Sequence, residues 1–163
     1  MIAQLQDFAA GFPSWASWTA VLLISAIPFV ESYFGSAIGI AIGLPAGVAV
    51  AAAVAGNVAS MLGFVLSADR ARSALRRRQD QTEAEPAAPK RVRLRRLFDR
   101  FGVPGVSLLG QTVLPSQITS ATMVGFGART RSVISWQIVS IVLWGVVFAA
   151  LASAGVDFVA SRS

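Results

Sequence analysis

Four long uncharged, mostly apolar stretches run along the chain, divided in the middle by one arginine-rich polar segment. Two of them, 46–66 and 132–156, are unbroken and exceed the ~18–20 apolar residues that mark a membrane-crossing helix. The other two, 12–30 and 101–128, are interrupted by proline and glycine. Each interrupted stretch precedes a clean one, so the pattern pairs into two units, 13–67 and 101–156. In the first the break is IPFVE, with Pro28 ahead of Glu31; in the second it is LPSQ, with Pro115 ahead of Gln117. A glycine-rich run follows each break, GSAIGIAIG and then GFG. Ahead of the first unit, Ile2, Leu5, Phe8, Ala9 and Phe12 recur at helical spacing. Residues 1–12 therefore predict a short amphipathic helix lying in the membrane interface.

Charge sets the expected topology. Residues 69–100 hold eleven basic and five acidic side chains, a net of +6, and the rest of the chain sums to zero. Positive-inside bias makes 68–100 a basic cytoplasmic loop. Its middle, QDQTEAEPAAPK, has the composition of a disordered linker. Its end, RVRLRRLFDRF, places Leu94, Leu97, Phe98 and Phe101 on one face, predicting an amphipathic helix over 91–100 that rests on anionic headgroups. The basic run borders apolar segments and lacks interleaved aromatics, so it reads as a topology anchor, and no nucleic-acid partner is expected.

With the loop inside, the helix 46–67 runs from outside to inside. Arg129 and Arg131 directly precede 132–156, so that helix also starts inside and leaves 157–163 as an external tail. The segment 101–128 then begins and ends on one side, which requires a re-entrant hairpin. Arms of ~12 residues span about 18 Å, enough to pass the midplane of a ~30 Å hydrocarbon core. By symmetry 13–44 is a hairpin from the outer side with its tip at 28–33; the alternative makes 13–30 a true span with the N-terminus inside. The expected fold is an all-α polytopic membrane protein, an inverted repeat of a re-entrant helical hairpin plus a transmembrane helix. Secondary transporters build substrate sites where such hairpin tips meet.

Composition agrees: 55% of 163 residues are hydrophobic, 13% are charged, and the mean hydropathy is +0.64. The N-terminus has neither a basic run nor a small-residue cleavage site, so no removable signal peptide is expected. Without cysteine or histidine, thiol chemistry, disulfides, zinc-type metal sites and histidine acid–base catalysis are excluded.

Glu31 is the one charged side chain between Asp7 and Asp69. A charge at mid-bilayer costs about 2.5–3.5 kcal/mol on insertion scales, so an intramembrane carboxylate marks a proton or substrate pathway. It is the sole titratable candidate there; the plainer alternative makes it a marker of the water–lipid boundary. Pro28 removes the amide that would bond the Ile24 carbonyl, and Pro115 does the same for Gln111. Carbonyls freed at membrane depth line a cavity or bury in protein. Around the second break stand Gln111, Thr112, Ser116, Gln117, Thr119, Ser120 and Thr122, an uncharged hydrogen-bonding wall. Its alternative role is interhelical bonding, worth about 0.6 kcal/mol per contact. Asn57 and Gln137, inside the two full spans, read first as glue between helices and second as cavity residues. Gly35, Gly39 and Gly43, like Ala52, Gly56 and Ser60, follow the small-xxx-small spacing of close helix packing. No nucleophile–base pair or paired carboxylates occur in the apolar part, so an enzyme is not expected.

The pieces PFVESYFGSAIGIAIGLPAG and RFGVPGVSLLGQTVLPSQITSATMVGFG, each followed by a long span, resemble the DedA superfamily, and most of all its small multidrug export branch. The resemblance implies two facing re-entrant hairpins in a bacterial cytoplasmic membrane, with an acidic residue in the first and a G-x-x-x-P-type segment in the second. Glu31 matches the acidic position, and Gly110 and Pro115 match the second segment approximately. DedA-type lipid carriers have arginines around the second proline, where this chain has Gln111 and Gln117. The expectation is a transporter of a small amphipathic or cationic substrate, coupled to a proton gradient through Glu31. It would need no bound cofactor, would lie among membrane lipids, and would form a homodimer through its glycine faces. The alternative is a flippase or scramblase for a phospholipid or undecaprenyl phosphate, with Arg129 and Arg131 at the headgroup; a third is a non-transporting membrane assembly factor.

Overall fold

The computed structural model describes residues 2–78, 89–110 and 114–161, and these are all-helical, with no strand among them. Seven helices follow in order: α1 (Ile2–Ala10), α2 (Ser17–Ser25), α3 (Glu31–Ala41), α4 (Ala46–Arg78), α5 (Pro89–Gly110), α6 (Ser116–Gly125) and α7 (Thr130–Ala160). Only α4 and α7, of 33 and 31 residues, are long and apolar enough to cross a membrane. At 1.5 Å per residue they reach about 50 and 46 Å. The 9, 11 and 10 residues of α2, α3 and α6 give only about 14–17 Å each. Both long helices outrun their apolar cores. α4 continues past 67 through ADRARSALRRR, because alanine, leucine and arginine favour helix whether or not lipid surrounds them. The tail read as 157–163 is still helical as far as Ala160.

The chain forms two compact units, Met1–Ser60 with Val139–Ser163, and Met61–Ile138. They differ from the repeats read along the sequence, since α4 and α7 each contribute to both units.

In the first unit α2 and α3 form an antiparallel hairpin. A Cβ on Gly35 would collide with Ser25 Oγ, and one on Gly39 would lie 2.7 Å from Ala49 Cβ. In α4, a Cβ on Gly56 would run into the Leu22 carbonyl of α2. These glycines are therefore used for packing within one chain, and a homodimer built on them loses its basis. Gly43 does not continue the packing face. At φ 90° it ends α3 with Leu44 N–H bonded to the Gly39 carbonyl and its own N–H to Ile40, a Schellman cap. α1 and the residues just after it lay Leu5, Ala9 and Phe12 against Ala20, Ile24 and Ile38, so part of the face expected on lipid covers the hairpin; Phe8 stays exposed. Val21 packs with Ala52 and Ala53 to complete the core.

The second unit is built on a similar hairpin. α5 breaks at Gly102 (φ 63°, ψ −166°), two residues before Pro104. The arm 103–110 packs on α6, with Thr119 Cγ2 3.0 Å from where a Gly110 Cβ would stand. α6 ends as α3 does: Gly127 has φ 106°, and Ala128 N–H bonds the Met123 carbonyl. Before the break, Leu94 is buried and Phe98 meets the Phe126 ring at 5.9 Å, with the Arg95 guanidinium 5.1 Å from that ring's centre. Leu94 and part of Phe98 on the amphipathic face thus cover protein, while Phe101 stays exposed. The polar end of α4 joins the same unit where Thr130 Oγ1 donates to Asp69 at 2.8 Å. The linker expected to be disordered lies, but for Pro89 and Lys90 at its end, outside the described residues.

Candidate functional site

Each unit buries polar side chains beside the break in its hairpin. In the first, α2 ends at Ser25 and the turn 26–30 carries Pro28. The Ile24 carbonyl is not freed: the last turn tightens, and Ile27 N–H bonds it at 3.1 Å. The Ile27 carbonyl then accepts from both Val30 N–H (3.1 Å) and Glu31 N–H (3.3 Å). Phe29 (φ 75°) and Glu31 (φ 54°) both occupy the left-handed region, which costs a side-chain-bearing residue about 1–3 kcal/mol when held there. The strained turn swings Glu31 inward at the first turn of α3, where the helix dipole favours a carboxylate. Glu31 is 0% exposed, whereas Phe29 is 59% exposed.

Serines tie this region together. Ser32 Oγ donates to the Ile141 carbonyl of α7 at 2.7 Å and packs against Gly145, whose Cβ would stand 3.5 Å from that oxygen. Ser36 donates to the Ser32 carbonyl at 2.6 Å, and Ser25 to that of Val21 at 2.7 Å. The Tyr33 and Phe34 rings lie 5.2 and 5.9 Å from Phe148 on α7. Asn57 is buried on α4, the residue after the glycine that meets Leu22. Sequence reasoning singled out Glu31, Pro28 and Asn57 but missed Ser25, Ser32, Ser36 and Ser140. The available signal was the spacing of 32 and 36, a turn apart on the face that carries Gly35 and Gly39.

In the second unit Pro115 is the N-cap of α6, with φ −53° and ψ 147° and no side-chain cap. Ser116, Gln117, Thr119 and Ser120 follow it, all 0% exposed. Ser116 Oγ approaches Gln117 Oε1 at 3.4 Å, Thr119 Oγ1 donates to the Leu114 carbonyl at 3.2 Å, and Ser120 Oγ lies 3.1 Å from the Gln117 carbonyl. The uncharged wall is thus gathered in one turn and a half. Ser107, on the facing arm, is buried and was not foreseen. Gln111 and Thr112 lie outside the described residues. Thr122 donates to the Ile118 carbonyl at 2.7 Å and is only partly buried. Gln137 is buried on α7, yet neither its Nε2 nor its Oε1 has a hydrogen-bond partner among the described residues. Its amide therefore makes no interhelical hydrogen bond among the described residues.

Arg129 and Arg131 are exposed at the start of α7, past the C-terminal end of α6. Gln117 stands at the opposite end of that helix, about 12 Å from its C-terminus along the axis. Among the described buried residues Glu31 is the one ionisable side chain, and no cluster of metal-ligating side chains occurs among the described residues. Compared with protein-family models, with curated proteins and with solved structures, the chain matches none.

Proposed function

We propose that this protein is an integral membrane transporter of the DedA-like, small multidrug export type, moving a small amphipathic or cationic substrate with proton coupling through Glu31. The observation that carries the proposal is the burial of Glu31: a single carboxylate enclosed at the start of a short helix, behind a strained proline turn. A buried charge is tolerated where it is paired or exchanges a proton, and such residues mark transport pathways in membranes. Further support comes from the two long apolar helices, which expose Val48, Phe64 and Leu66 on α4 and Val139, Leu143, Val146 and Leu151 on α7 as lipid would require. The short helices α2, α3 and α6 suit re-entrant hairpins, since none reaches across a ~30 Å core. Lipid-phosphate transport has less to stand on, because Arg129 and Arg131 lie a helix length from the polar turn after Pro115.

The test uses purified full-length protein in proteoliposomes, with ethidium as the lipophilic cation. An imposed pH gradient is expected to drive ethidium accumulation by the wild type, and Glu31→Gln is expected to abolish the gradient-dependent part. Equal gradient-driven accumulation by both proteins, or none by the wild type, would overturn the proposal.

A further inference from the structure

Gln137 sits on the inner face of α7, one turn after Val133 and one turn before Ile141, and all three are 0% exposed. A carboxamide brings two donors and an acceptor into that apolar setting. Buried side-chain polar atoms in folded proteins almost always have a partner, and here both ends of the group lack one among the described residues. A leucine of similar size would fill the place without this cost, so the amide does nothing for the conformation described. Zero exposure also means that no water-sized space adjoins it. A partner that comes and goes resolves the contradiction.

We infer that Gln137 is a ligand-binding residue that the described conformation seals off. In a second, open conformation its carboxamide bonds water or an uncharged polar group of the substrate, one with a donor and an acceptor side by side such as an amide or hydroxyl. The inference deepens the transporter proposal by giving the substrate a neutral hydrogen-bonding group, and opening at this position is measurable without substrate or gradient. A failed Glu31→Gln experiment therefore leaves it readable.

The chain contains no cysteine, so single thiols report without background. Gln137→Cys, Val133→Cys and Ile141→Cys would be compared in full-length protein in proteoliposomes, with methyl methanethiosulfonate as the probe. The thiolate sulfur attacks the reagent's sulfenyl sulfur, a disulfide forms, and methanesulfinate leaves; only a thiol that meets water ionises fast enough to react. Modification at 137 is expected at least about tenfold faster than at 133 and 141, since thiolate character and access control the rate. Equal rates at the three positions would overturn the inference. A second variant, Gln137→Leu, guards against a cysteine variant that fails to fold. Its melting temperature in detergent is expected to equal or exceed that of the wild type, and a fall would show that the amide has a structural partner after all.

Discussion

One methyl group separates a working from a broken contact at Gly56. Its hydrogen faces the backbone carbonyl of Leu22, which has no rotamer to move aside, so Gly56→Ala forces α2 and α4 apart. Overpacking of this kind costs about 1–3 kcal/mol, and we expect a lower melting temperature in detergent and a lower folded yield. Gly63, on the same helix, has nothing within 4 Å of its would-be Cβ. Gly63→Ala should leave the melting temperature unchanged or raise it, because alanine is better than glycine in a helix by up to about 1 kcal/mol. A fall of equal size in both variants would contradict the packing described. The same spacing rule flagged Gly35, Gly39, Gly43 and Gly56 in the sequence, but the rule is blind to which face meets what. Gly43 proved to be a cap, and the other three pack inside the chain.

The breaks decide how each hairpin is built. Proline was a visible signal at 28 and 115, and both turns fall where it stands. The sharper break is at Gly102, whose φ of 63° with ψ of −166° belongs to a region open in practice to glycine alone. Space is not limiting there, as the nearest atom to a Cβ is Pro104 Cδ at 3.6 Å. Gly102→Ala is therefore expected to lower stability by about 1–3 kcal/mol through backbone strain, read as a drop in melting temperature. Serine in its place should do the same; an unchanged melting temperature for both would show that the α5 bend does not need the glycine. The sequence reading ended the amphipathic helix at 100 and began the hairpin at 101, beside this break, but it did not single out Gly102, because side-chain periodicity carries no information about a single φ. The closing Schellman caps at Gly43 and Gly127 were legible only as glycine-rich runs.

For the whole molecule, the absence of cysteine makes orientation measurable. Ser73→Cys, exposed on the polar end of α4, should react with an impermeant maleimide only when the cytoplasmic face is opened. Ser161→Cys, just past α7, should react in intact cells. Labelling of position 73 from outside would reverse the orientation expected from the charge distribution. Apolar run length alone predicted α4 and α7, because about 20 residues without charge have few other uses, and the charge distribution alone set the expected orientation. The pattern also found the positions of Glu31, Gln117 and Gln137. Their burial it left open, since periodicity describes one helix at a time. Folding decided that Ser32 bonds a carbonyl 109 residues away, that Glu31 is enclosed by a strained turn, and that Gln137 is buried with no hydrogen-bond partner among the described residues. Those outcomes depend on which backbones approach closely enough to shut out water, and that is a property of packed helices that a linear pattern does not contain.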